Sequence, residues 1–114
     1  MESLPIINKL YEIYKRIIDL NETVPKRESY SLGISLENSV LETLENLILA
    51  KNAPKPFKAA YLIKASSQLE ITTLKLRLLL ELKLANETKI FQIQGFLTET
   101  GRMLGGWLRA TQNT

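Results

Sequence analysis

Cysteine and histidine are both absent from this 114-residue chain. Without cysteine there is no disulfide, no thiolate nucleophile and no cysteine-based zinc site. Without histidine the commonest general base and metal ligand is missing, and with it the Glu-x-x-His element of carboxylate di-iron bundles. Neither a Gly-x-x-x-x-Gly-Lys phosphate loop nor a Gly-x-Gly-x-x-Gly turn occurs. No apolar run approaches the roughly 18 residues of a membrane span. The start, Met1-Glu2-Ser3-Leu4-Pro5, lacks the basic and apolar regions of a signal peptide, so the cytoplasm is the expected location. These absences disfavour an enzyme: no catalytic residue, metal ligand or cofactor is expected. The two carboxylates on one helix, Glu70 and Glu81, read as solvated side chains.

What the chain does contain is apolar periodicity. Apolar residues are 45 % and charged residues 24 %, the balance of a soluble globular domain, and residues 1–114 are read as a single one. From Leu4 to Leu20, Ile7, Leu10, Tyr14 and Ile17 recur at helical spacing, widened by Ile6, Ile13 and Leu20 on one side and Tyr11 and Ile18 on the other. Ser3 is a candidate N-cap, and Thr23-Val24-Pro25 ends this helix. A polar entry, Lys26 to Gly33, leads into a second helix capped by Ser29 or Ser31, with Leu36, Val40, Leu44 and Leu47 as its stripe. Pro54 and Pro56 close it.

The third helix is expected from about Phe57 to Leu84. Its first half carries small residues (Ala59, Ala60, Ala65, Ser66) that allow a neighbouring helix to come close. Its second half has Leu74, Leu76, Leu78, Leu79, Leu80, Leu82 and Leu84, too many to share one face. A helix apolar nearly all round calls for burial on more than one side, and in a four-helix domain the surplus points toward another subunit. Asn86 or Thr88 caps a fourth helix, Ile90 to Ala110, before a polar tail, Thr111–Thr114, expected to fray. Its stripe is Ile90, Ile93, Leu97, Gly101, Leu104 and Leu108, with Phe96, Met103 and Trp107 offset beside it. Four helices with short connections predict an all-α, antiparallel up-down-up-down four-helix bundle. Leu78, Leu82, Met103 and Trp107 are the candidate oligomer-interface residues.

Charge is small in total and uneven along the chain. The net charge is +3, yet residues 29–50 hold three glutamates and no base, whereas 51–85 hold seven bases against Glu70 and Glu81. Lys51, Lys55, Lys58, Lys64, Lys75 and Arg77 form a candidate nucleic-acid or protein-binding set, able to neutralise phosphates without reading sequence. Phe57 and Tyr61 are its main aromatic neighbours. The competing reading is an ordinary solvated face on a structural, partner-binding bundle.

Gly101-Arg102-Met103-Leu104-Gly105-Gly106-Trp107-Leu108 holds three of five glycines and the sole tryptophan, inside an expected helix. Each mid-helix glycine costs about 1 kcal/mol against alanine, so close packing against this segment is the expected reason for them. Together with Leu10-Tyr11-Glu12, Ser31-Leu32-Gly33, Tyr61-Leu62, Ala65-Ser66 and Leu74-Lys75-Leu76-Arg77, this stretch resembles a family of small four-helix bundles. That family comprises the accessory variability determinant proteins of diversity-generating retroelements and relatives encoded in intervening sequences of bacterial 23S ribosomal RNA genes.

The resemblance implies a protomer that assembles into a basic, barrel-like homopentamer. It implies a non-catalytic accessory that binds the retroelement's reverse transcriptase and template RNA or DNA during mutagenic cDNA synthesis. Lys75 and Arg102 match basic positions of the family, and Arg77 lies in the same leucine-rich segment. The short tail lacks the basic C-terminal extension of some relatives. The ribosomal-gene relatives imply the alternative, a structural or RNA-associated partner-binding module.

Overall fold

The computed structural model describes residues 3–112, with side chains from Pro5 onward. Its elements are α1 (Ser3–Asn21), α2 (Lys26–Glu28), a π-helical turn (Ser29–Gly33), α3 (Ile34–Asn52), α4 (Lys55–Glu81) and α5 (Glu87–Gln112). No strand occurs among the described residues. The four long helices form a bundle of 46 × 22 × 20 Å in which α1 neighbours α3 and α5, and α4 closes the ring between them.

Short turns make sequential helices antiparallel, and cross-links between helices record the directions. Lys9 at the start of α1 pairs with Glu99 at 2.8 Å, while Asp19 at its end meets Lys89 at 3.0 Å, so α5 runs against α1. Lys58 near the start of α4 donates to the last carbonyls of α3, and Lys75 near its end donates to the Ser35 carbonyl at 3.0 Å, so α4 runs against α3. The predicted up-down-up-down bundle is thus the fold of the chain.

One apolar cluster fills the centre. In α1 the buried line is Ile6, Leu10, Ile13, Ile17 and Leu20. Ile7 and Tyr14, expected on its axis, are half-buried at its edge, while Tyr11 and Ile18 are exposed. Leu36, Val40 and Leu47 from α3, Leu62, Ala65, Leu69, Leu76 and Leu79 from α4, and Ile90, Ile93, Leu97, Leu104 and Trp107 from α5 complete it. The buried hydroxyls of Thr43, Thr72 and Thr100 each donate to the carbonyl four residues earlier at 2.8 Å, so they enter the core satisfied.

Several element ends depart from the sequence reading. The polar entry at Lys26–Gly33 is itself helical, and neither Ser29 nor Ser31 caps α3; the Ser31 hydroxyl donates back to the Glu28 carbonyl at 3.3 Å. The π turn forms where Asn21 of α1 reaches in: its Nδ2 donates to the Gly33 carbonyl at 2.9 Å and to Glu37 Oε2 at 2.7 Å. A side chain inserted against the helical ladder favours such a bulge.

At its other end, α4 stops at Glu81 instead of Leu84, because Lys83 adopts φ 56°. The Leu84 and Lys83 amides then donate to the Leu79 and Leu80 carbonyls at 3.0 and 3.1 Å, which closes the helix in a Schellman motif. α5 begins at Glu87, capped by Asn86, whose Oδ1 accepts the Lys89 amide at 2.9 Å, and it continues through Gln112. The proposed Ser3 cap lies outside the described side chains, and Asn113 and Thr114 lie outside the described residues.

Candidate nucleic-acid interface

The α3–α4 turn, the start of α1 and the end of α5 share one pole of the bundle. Residues 46–69 contain Lys51, Lys55, Lys58 and Lys64 and no carboxylate, and residues 100–112 contain Arg102 and Arg109 and none. Antiparallel packing brings both acid-free segments toward the same pole. Lys51 and Lys55 are exposed there, and Lys58 is drawn inward, its Nζ donating to the Ala50 and Lys51 carbonyls at 2.8 and 3.0 Å. Lys58 therefore closes the C-terminus of α3, where a cation also meets the negative end of the helix dipole.

The candidate basic residues do not form one stripe. Exposed Lys64 lies 5.8 Å from the Tyr61 ring centroid and borders a shallow groove with Glu42 and Glu45 of α3. Lys75 is half-buried between α3 and α4, bonded to the Ser35 carbonyl and the Ser39 hydroxyl, so it ties two helices together. Arg77 pairs with Glu81 at 3.3 Å. Arg102 is exposed and makes no ion pair among the described residues. Of the candidate set, Lys51, Lys55, Lys64 and Arg102 carry no ion pair among the described residues and lie in the half of the bundle toward this pole, joined by Arg109, while Lys26, Arg27 and Lys83 are exposed toward the opposite pole.

Arg109 was not singled out from the sequence, although the acid-free run at 100–112 contains its signal. Its guanidinium lies 3.5 Å from where a methyl on Gly105 would sit, and 4.0 Å from the equivalent point on Gly106. Neither glycine approaches a neighbouring helix that closely, and Gly101 has room for a methyl 3.7 Å from Leu69. The expectation that close packing explains these glycines is therefore not met within the protomer: Gly101 makes only ordinary contact with α4, and Gly105 and Gly106 make none.

A second feature is the outer face of α4. Ile63, Ile71, Leu74, Leu78 and Leu82 are 38–57 % exposed, on the side opposite the buried Leu62, Ala65, Leu69, Leu76 and Leu79. Leu78 and Leu82, named as interface candidates, stand on this face. Met103 and Trp107 do not: Met103 is half-buried against the core between α1 and α5, and Trp107 is only 9 % exposed, inside the core. Also unforeseen is a groove of about 470 Å³ between α1 and α5, where Arg16 and Lys9 lie 4.5 and 5.4 Å from the Phe96 ring centroid. No metal-binding cluster and no helix long and apolar enough to cross a membrane occurs among the described residues.

The profile of a protein family described as bAvd-like matches residues 4–111. This chain belongs to the bAvd-like family. The match spans almost the whole bundle, so the resemblance carried by the Gly101–Leu108 stretch and the leucine-rich third helix is borne out. The family is one of accessory, non-catalytic proteins. No curated protein matches the chain. The two acid-free segments directed to one pole and the exposed apolar residues of α4 are the surface features on which a functional reading can draw.

Proposed function

We propose that this bAvd-like protein is a non-enzymatic accessory of a diversity-generating retroelement. It assembles into a homo-oligomer, a pentamer by family resemblance, and binds the reverse transcriptase and its template RNA or DNA in support of mutagenic cDNA synthesis. Family membership over residues 4–111 carries the reading. Two features of the bundle support it: two acid-free basic segments directed to one pole, and an apolar face on α4 with Leu74, Leu78 and Leu82 standing in solvent. Repeating a weakly basic pole around a closed ring concentrates its potential, which strengthens phosphate binding beyond what one protomer supplies.

A pull-down of the reverse transcriptase with template RNA, repeated after Lys51→Glu and Lys55→Glu, tests the reading. RNA recovery is expected to fall steeply as salt rises and to be lost in the double variant, and recovery independent of both would contradict it. The inward engagement of Lys75 and the pairing of Arg77 favour a second reading, a structural partner-binding module of the ribosomal intervening-sequence type. That reading expects a protein partner and no RNA bound even at low salt.

A further inference from the structure

At the basic pole the proline turn between exposed Lys51 and Lys55 carries an apolar, aromatic surface. Leu49 and Phe57 are 48 % and 59 % exposed, and with Asn52, Ala53, Pro54 and Tyr61 they line a depression of about 180 Å³. The volume is below the several hundred cubic ångströms typical of small-molecule pockets. It admits one flat ring rather than a folded ligand. Pro54 holds an extended backbone (φ −58°, ψ 148°), its carbonyl accepts the Phe57 amide at 2.9 Å, and Pro56 occupies the first turn of α4. The Phe57 backbone is thereby fixed before any ligand arrives, which lowers the ordering cost of binding.

Chemistry selects the occupant. The surface offers exposed ring and aliphatic area within a segment, residues 46–69, whose ionic groups are all lysines. Lys64 projects beside the Tyr61 ring, and Lys51 and Lys55 flank the proline turn. A partner that complements both must alternate flat apolar groups with negative charge along a flexible chain. Duplex nucleic acid supplies the charge but keeps its base faces stacked inside. A single strand supplies both, because every base has a face to stack on an aromatic ring while its phosphates meet cations.

We propose that Phe57, with Tyr61 and Leu49 beside it and Lys51, Lys55 and Lys64 around it, is a base-stacking platform that makes the pole prefer single-stranded over duplex nucleic acid. The proposal rests on the nucleic-acid reading above and specifies which form of the polymer is bound.

The test measures binding of a labelled single-stranded oligouridylate and of an RNA duplex of equal length, across a salt series, to the intact protein. Phe57→Ala is expected to weaken single-strand binding about 10-fold and to leave duplex binding and the salt slope unchanged, since stacking is not a phosphate contact. Phe57→Trp is expected to restore single-strand affinity. Phe57 is well exposed, so both variants are expected to fold; matching helical circular dichroism and thermal midpoints verify that.

If Phe57→Ala is silent while Lys51→Glu and Lys55→Glu abolish binding, stacking is overturned and the nucleic-acid reading stands. If the unmodified protein binds neither polymer, that reading fails and takes the platform with it. A Phe57→Ala protein that falls to a smaller species in light scattering would assign the surface to contact between copies, which also overturns the proposal.

Discussion

Gly33 and Gly95 are the same residue under opposite constraints. At Gly33 the backbone is ordinary right-handed helix (φ −61°, ψ −48°), but an added methyl would lie 3.1 Å from Asn21 Oδ1, itself buried without a partner. At Gly95 nothing lies within 4 Å. Gly33→Ala should therefore cost about 1–2 kcal/mol through displacement of the Asn21 amide and its two hydrogen bonds. Gly95→Ala should gain about 0.5–1 kcal/mol from helix propensity, and urea melts of the two variants should shift in opposite directions. Lys83, a side-chain-bearing residue held at φ 56°, makes a third case. Lys83→Gly should raise stability by about 1 kcal/mol, because the left-handed region strains an L-residue and not glycine.

Among helices, α4 shows most plainly what was legible in the sequence and what was not. Its surplus of leucines announced a second apolar face, and Leu74, Leu78 and Leu82 are exposed on it. Its C-terminal boundary was misplaced because an apolar run does not reveal that Lys83 turns left-handed. The start of α3 was hidden for a different reason: the π turn depends on Asn21, a residue of another helix. The supposed basic stripe dissolved likewise, since the sequence shows which cations exist but not that Lys75 is spent on Ser35 and Ser39, or Arg77 on Glu81. Helical periodicity is local and readable; the partners of a long side chain are set by packing. Lys75→Met should accordingly cost only about 1 kcal/mol in stability, because the Ser39 hydroxyl still donates to the Ser35 carbonyl at 3.1 Å once the ammonium is gone, and should leave the salt slope of the proposed RNA binding unaltered. Leu74→Glu with Leu78→Glu should change protomer stability by no more than about 1 kcal/mol, since exposed positions tolerate substitution. Under the proposed homo-oligomeric assembly, the same pair is expected to give a smaller species than the unmodified protein in light scattering.

For the whole molecule, bundle topology decides where charge collects. Up-down-up-down connectivity sends the α3–α4 turn and the end of α5 toward one pole, so two acid-free segments far apart in sequence reinforce one another. Family membership points to an accessory role, and this pole is the surface through which the proposed function has the chain engage a polyanion. The most direct test is RNA affinity as a function of salt, for the unmodified protein and for Lys55→Gln. The expected result is a straight, steep fall of log affinity with log salt, with the slope reduced by about one in the variant. Affinity that is absent at low salt, or that does not change with salt, would contradict the account.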